Sequence, residues 1–318
     1  MTERKNPFLA LVLMLVPVLA FLLINLVVGA IIQIFYTPVI VARAYAEGVS
    51  ADTISNVEWM TEQIMQTSFP GVATIFIDLT ASLIAFFCWK KIRRLEVPVK
   101  KALKPRSFGF MVLLGLGIQG SLSLLLALAF MVLPESFAEG YEALSQGLTG
   151  VESHRLVMGL AVVFAAPLSE DLVMRGLSLN YGRKYSSDAV AIVVSSVAFG
   201  LMHLTNLNLS NFKGVIIQVI YAAMIGVILA LVAMYFKTVW AGVFVHFIVN
   251  LSGQLLSDLS GLNPESGVAA AVFMGLGVVA LVAAIILLVK KKIPSTDAET
   301  YGEMADAELV KAIEDSNS

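Results

Sequence analysis

Three apolar stretches of the sequence carry ionisable and amide side chains at helical spacings. An ionisable group at the depth of a bilayer costs about 2.5 to 3.5 kcal/mol on insertion scales, so it usually faces a protein interior or a water-filled cavity. Two of the chain's three histidines lie in these stretches. We therefore expect the function to reside in the residues Glu170, Asp171, Arg175, Phe199, His203, His246 and Asn250.

Four of these residues are of the types that hydrolyse a carbonyl compound. Glu170, helped by His203, can take a proton from water as it attacks a peptide carbonyl. His246 and Asn250 can donate hydrogen bonds to the oxyanion that forms. The sequence contains no Gly-x-Ser-x-Gly elbow, and its single cysteine, Cys88, is not placed like a catalytic one. A covalent acyl-enzyme is therefore not expected.

Asp171 and Arg175 are four residues apart, which on a helix places them on one face and predicts an ion pair. Such a pair would leave Glu170 free to point elsewhere. A purely architectural cluster would contain the same residue types, and a lone histidine in a membrane is more often a bridging hydrogen-bond donor. For Asp78, in a separate apolar stretch, we predict a buried hydrogen bond to a neighbouring helix.

The elements that position these residues are predicted to be membrane-spanning helices. The chain has 318 residues, of which 58% are hydrophobic and 14% charged, with a mean hydropathy of +0.86. Soluble domains carry about 25% charged residues. Apolar runs of spanning length predict an all-α polytopic bundle of eight helices, at Phe8–Tyr36, Gly71–Trp89, Phe108–Leu133, Leu156–Leu179, Ala189–Leu204, Gly214–Phe236, Val239–Leu256 and Gly267–Val289.

The distribution of Lys and Arg predicts the orientation of this bundle. The segment from Lys90 to Arg106 is strongly basic, which is typical of a cytoplasmic loop. Counting spans from this loop places both termini in the cytoplasm. We predict one transmembrane domain at 1–292, with its core motifs within 163–251, and an acidic cytoplasmic tail at 293–318.

At its polar residues the chain resembles the CPBP family of glutamate-dependent intramembrane endopeptidases, which includes type II CAAX prenyl proteases and bacteriocin-processing or self-immunity proteins. The family's Glu-Glu-x-x-x-Arg motif matches Glu170 to Arg175, Phe-x-x-x-His matches Phe199 to His203, and His-x-x-x-Asn matches His246 to Asn250. The resemblance implies Glu170 and His203 as water activators and His246 with Asn250 as the oxyanion site. Asp171 replaces the usual second glutamate.

Whether a metal takes part is left open by the sequence. Glu170, His203 and His246 form a set of two histidines and one carboxylate, as in catalytic zinc sites, and the resembled family is often labelled metalloprotease. There is no His-Glu-x-x-His motif, and Glu170 cannot easily be both ligand and base. We favour a reaction without a metal, with zinc as the alternative cofactor.

Three classes of function remain for such a chain. The favoured one is an endopeptidase of the cell membrane, the plasma membrane if the source is bacterial, acting on a membrane-associated protein or peptide. The alternatives are a catalytically inactive scaffold or bacteriocin-immunity protein and, less favoured, a transporter, which would show paired interrupted spans in two related halves. The partners expected are the substrate and the lipid bilayer; no nucleic acid is expected.

Overall fold

The computed structural model describes residues 6–92, 99, 104–149, 154–207, 211–260 and 266–290. The predicted acidic tail at 293–318 lies outside the described residues. Within them the chain is helical and contains no strand. The helices are α1 (Pro7–Ala46), α2 (Ala51–Ile54), α3 (Val57–Met65), α4 (Phe69–Ile92), α5 (Pro105–Phe130), α6 (Glu135–Thr149), α7 (Arg155–Tyr185), α8 (Asp188–Met202), α9 (Phe212–Tyr235), α10 (Val239–Ser260) and α11 (Ser266–Val289).

Eight helices of the described residues are long and apolar enough to cross a membrane, which confirms the predicted all-α bundle. They are α1, α4, α5, α7, α8 with the 3-10 turn His203–Asn206 that follows it, α9, α10 and α11. The cytoplasmic placement of both termini stays a prediction. The division into a domain at 1–292 and a tail also stays a prediction.

Helix α1 is longer than the apolar run that predicted it. It begins at Pro7, where the Asn6 side chain accepts a hydrogen bond from the backbone N–H of Leu9 at 3.0 Å. It runs for 40 residues to Ala46, about 60 Å at 1.5 Å per residue, against about 30 Å for the hydrocarbon core of a bilayer. The apolar run predicts only the part of the helix that can lie in lipid. The backbone hydrogen bonding of the helix continues beyond Tyr36 and ends at Ala46.

Helix α7 is not a regular α-helix, although the sequence pattern predicted one. It contains π-helical stretches at Ala161–Ala165 and Leu172–Ser178. Between them lies the short α segment Ala166–Asp171, which contains Glu170. Pro167 has no N–H to donate, and helices change register at such a residue. The candidate catalytic residue therefore lies between two changes of helical register, a position typical of functional sites.

Two apolar clusters flank this segment. One packs Trp89 of α4 and Leu172 of α7 around Phe199 of α8. The other joins α5, α9 and α10 through residues such as Leu229 and Val245, which are fully buried. The side chains of α7 to α10 thus form the interior of the bundle, where polar groups need partners.

Candidate active site

The first motif forms the ion pair that its spacing predicted. Arg175 Nε lies 3.3 Å from Asp171 Oδ1, and both side chains are almost completely buried. The Arg175 guanidinium also donates from Nη2 to the backbone carbonyl of Gly226 at 3.2 Å, which ties α7 to α9. Glu170 is free of this pair, as predicted, and its side chain keeps 16% of its exposure while that of Asp171 has none. Glu170 is therefore the more accessible acid of the two.

His246 contacts both acids of this motif. Its Nδ1 lies 2.8 Å from Asp171 Oδ2, and its Nε2 lies 3.7 Å from Glu170 Oε2. Because Asp171 is paired with Arg175 and an ionised carboxylate only accepts, His246 Nδ1 carries the proton and donates. In the neutral ring, Nε2 is then the acceptor that faces Glu170. The distance between Nε2 and Oε2 is too long for a direct hydrogen bond and is of the kind that a water molecule bridges.

Phe199 is the common neighbour of the charged and aromatic groups. The Arg175 guanidinium lies 4.3 Å from the centre of its ring, a cation–π contact. The rings of His203 and His246 meet the Phe199 ring edge to face, at centroid distances of 5.0 and 5.7 Å. Phe199 is 1% exposed. The phenylalanine of the second motif therefore separates and orients three polar side chains from α7, α8 and α10.

His203 lies at the end of α8 and begins the 3-10 turn. Its Nδ1 donates to the backbone carbonyl of Phe199, four residues earlier, at 2.9 Å. The neutral ring thus presents Nε2 as an acceptor. No direct hydrogen bond joins His203 to Glu170 in the described part of the chain, so the predicted cooperation of these two residues stays a prediction.

Asn250 is bonded to an irregular part of α7. Its Nδ2 donates to the carbonyl of Val162 at 2.8 Å. That carbonyl lacks its helical partners, because the N–H of Ala166 bonds to Ala161 instead and Pro167 has no N–H. The amide of Asn250 therefore satisfies a part-buried acceptor that the π stretch leaves free. The second N–H of this amide is the one that the predicted oxyanion role requires.

Asp78 forms the interhelical hydrogen bond that the sequence predicted. It is 4% exposed on α4, and its Oδ1 lies 2.7 Å from Ser169 Oγ on α7, directly before Glu170. The sequence analysis did not identify Ser169 as its partner. It also did not predict the backbone carbonyls of Gly226 and Val162 as acceptors for Arg175 and Asn250. Every residue has a backbone carbonyl, so the residue type does not show which carbonyl accepts a side-chain hydrogen bond.

A catalytic zinc ion needs three protein ligands that converge on one point. Among the described residues, no group of three or more His, Cys, Asp or Glu side chains is placed to hold a metal ion. The alternative zinc site of Glu170, His203 and His246, and with it the metalloprotease label, is therefore not supported by this arrangement.

Comparison with known proteins agrees with the motifs. Residues 152–252 match the family described as "Type II CAAX prenyl endopeptidase Rce1-like". This range contains all three motifs and the predicted core at 163–251. No curated protein and no solved structure gives a significant match to the chain. Over this core the chain is similar to CAAX-type membrane endopeptidases, in agreement with the resemblance that its motifs indicated.

Proposed function

We propose that this protein is an endopeptidase that hydrolyses a peptide bond of a membrane-associated protein or peptide with a water molecule activated by Glu170. The observation that carries the proposal is a chain of contacts from the partly exposed Glu170 through His246 and Asp171 to the buried Arg175. A purely architectural cluster has no need for an acid and an imidazole nitrogen that face each other 3.7 Å apart. A hydrolytic site needs a place for water between its base and a second hydrogen-bonding group.

In the proposed reaction, water lies between Glu170 Oε2 and His246 Nε2. Glu170 takes one proton as the water oxygen attacks the peptide carbonyl carbon. When the tetrahedral intermediate collapses, the carbon–nitrogen bond breaks and that proton passes to the leaving nitrogen. The attacking group is water, so no covalent acyl-enzyme forms.

For the oxyanion role His246 is an imidazolium that takes its second proton from solvent before the substrate binds and keeps it through the reaction, because Nδ1 donates to Asp171 and a neutral Nε2 has no proton to give. Asp171 orients the ring and stabilises the imidazolium, as a buried carboxylate does for a catalytic histidine. Asn250 supplies its second amide N–H beside it. His203 assists Glu170 through water from its own acceptor nitrogen.

Substitution of Glu170 tests the proposal. Glu170→Gln keeps the shape and removes the base, so cleavage of quenched peptides by purified protein is expected to fall by about 10² to 10⁴. Glu142→Gln, the same change on the exposed face of α6, serves as the control. Near wild-type turnover of Glu170→Gln contradicts the mechanism.

The same protein in liposomes separates the alternatives. Ion flux without cleavage indicates a transporter. If neither ion flux nor cleavage is detected, the protein is an inactive scaffold or immunity protein.

The peptides tested as substrates include prenylated and unprenylated CAAX sequences, since the matching family is described as a prenyl endopeptidase. Fractionation of the membranes of a bacterial host that expresses the protein tests the proposed location in the plasma membrane.

The role of His246 is tested apart from that of Glu170. His246→Ala and Asn250→Ala are each expected to lower the rate by about 10² to 10³, as for the loss of one oxyanion donor. A chelator is expected to leave the rate unchanged. Stoichiometric zinc that tracks activity and disappears with His246→Ala contradicts this assignment and restores the zinc site as the alternative.

A further inference from the structure

Asp78 is an acid that the proposed reaction leaves without a role. It lies inside the bundle on α4, 4% exposed. In the part of the chain that the structure describes, no cation pairs with it. An isolated carboxylate in an apolar interior costs far more than a hydrogen-bonded neutral acid. Its one polar contact among the described residues, Ser169, directly precedes the proposed base.

The protons at Ser169 can be counted. Its Oγ lies 2.7 Å from Asp78 Oδ1 and 3.0 Å from the carbonyl oxygen of Ala166. A serine hydroxyl has one proton to donate, whereas an ionised carboxylate and a carbonyl are both acceptors only. Two full hydrogen bonds therefore require a second proton, and the Asp78 carboxyl is the group that can bring it. Ser169 then accepts from Asp78 and donates to Ala166.

We propose that Asp78 is a protonated carboxylic acid that donates to Ser169 Oγ and so positions the segment that carries Glu170. The inference deepens the proposed function and rests on it for the role of Glu170. The two hydrogen bonds connect α4 to the α segment Ala166–Asp171 between the π stretches. Asp78 acts through Ser169 and is a positioning residue.

The segment that Asp78 contacts through Ser169 lies between two changes of hydrogen-bond register in its own helix. The regular α-helical pattern is interrupted on both sides, at Ala161–Ala165 and Leu172–Ser178. Asn250 secures the carbonyl at the first interruption from α10, and Asp78 secures the segment itself from α4. A misplacement of about 1 Å can lower the rate of an enzyme by about 10². A rotation of this short segment would move the carboxyl of Glu170 directly.

Infrared difference spectroscopy at neutral pH tests the protonation state without any activity assay. The carbonyl stretch of a protonated carboxylic acid is expected in the wild-type protein, absent in Asp78→Asn and retained in Glu170→Gln. If Asp78→Asn removes only carboxylate bands, Asp78 is ionised and the proposal is wrong. This result does not depend on whether the protein cleaves any peptide.

Kinetics test the positioning role. Asp78→Asn keeps a neutral side chain with an N–H for Ser169 and is expected to retain most of the activity. Asp78→Leu and Ser169→Ala are each expected to lower kcat by about 10 to 10² with little change in KM, by loss of alignment. The double variant is expected to be no worse than either single one, since both remove the same contact.

Full activity of Asp78→Leu, or an Asp78→Asn variant as slow as Asp78→Leu, overturns the positioning role. If Asp78→Leu does not fold, the comparison of Asp78→Asn with Ser169→Ala still decides, because equal rates in these two contradict rescue by the neutral amide. If Glu170→Gln loses activity while the Asp78 and Ser169 variants keep the wild-type rate, the proposed function is retained and only the role of Asp78 is contradicted. Turnover that survives Glu170→Gln removes the proposed function instead.

Discussion

Two helix pairs of this bundle are joined by different kinds of contact. Helices α5 and α11 touch through glycines: a Cβ on Gly120 would lie 2.7 Å from the Cα of Gly277. Helices α7 and α10 are joined by polar groups, Asp171 to His246 and Asn250 to a backbone carbonyl. Lipid tails are as apolar as leucine, so association in a membrane depends on close packing or on hydrogen bonds. The glycines let the backbones of α5 and α11 approach closely. The hydrogen bonds between α7 and α10 fix the orientation of the polar side chains of the candidate site.

The largest effect on stability is expected where a charge would be left alone. Arg175→Ala leaves the buried carboxylate of Asp171 without its cation, and breaking such a pair costs about 3 to 5 kcal/mol. The partly exposed pair of Arg183 with Asp188 is the control, and Arg183→Ala is expected to cost at most about 1 kcal/mol. Denaturant titration in detergent measures both. Equal stability of the two variants would show that the packing of α7 against α10 does not depend on the ion pair of Asp171 with Arg175.

A smaller loss is expected in the glycine-packed pair. Gly277→Ala places a Cβ 2.5 Å from the Cα of Gly120, so the backbones must separate. Overpacking of this kind costs about 1 to 3 kcal/mol. Gly275, on the same helix, has no atom within 4 Å of an added Cβ. Gly275→Ala is expected to be neutral or slightly stabilising, since alanine favours helix by up to about 1 kcal/mol.

Activity sharpens this second comparison. The folded fraction of Gly277→Ala is expected to keep wild-type turnover, because the proposed catalytic groups lie on other helices. A loss of turnover in the fully folded variant would show that the two helix pairs are coupled.

The smallest effect is expected for the hydrogen bond between Asn250 and α7. Asn250→Ala removes one interhelical bond, and such bonds contribute about 0.6 kcal/mol on average and up to about 1.7 kcal/mol in membranes. Asn25 donates to the carbonyl of Phe21 within its own helix at 3.0 Å, so Asn25→Ala is expected to cost less. The measurement is the same titration. A loss for Asn250→Ala as large as that for Arg175→Ala would mean that the freed carbonyl of Val162 collapses the π stretch.

The fold followed from the sequence because span length and apolar content can be read directly from it. The i, i+4 spacing also predicted the pair of Asp171 with Arg175. The contact of Asp171 with His246 could not be predicted in this way, since the two residues are 75 positions apart and nothing in either motif shows which nitrogen faces which acid.

The π stretches of α7 escaped the sequence analysis for another reason. Apolar residues occur on every face of this helix, so hydrophobic periodicity carries no information about a change of register. Pro167 marks the place without showing how the backbone responds. Only the missing N–H of proline and the hydrogen-bond partner of Ala166 together explain why Val162 is free to bind Asn250.

These irregular turns constrain the length of α7 more tightly than its composition. Each residue of an α-helix advances the face by about 100°, so deleting one residue within Ala161–Ala165 would turn everything before the deletion relative to Glu170. A single substitution there leaves the number of residues, and so the helical register, unchanged. A deletion of one residue shifts the register of all residues of α7 that precede it. In alignments of related chains, this stretch should therefore tolerate changes of residue type far better than changes in number.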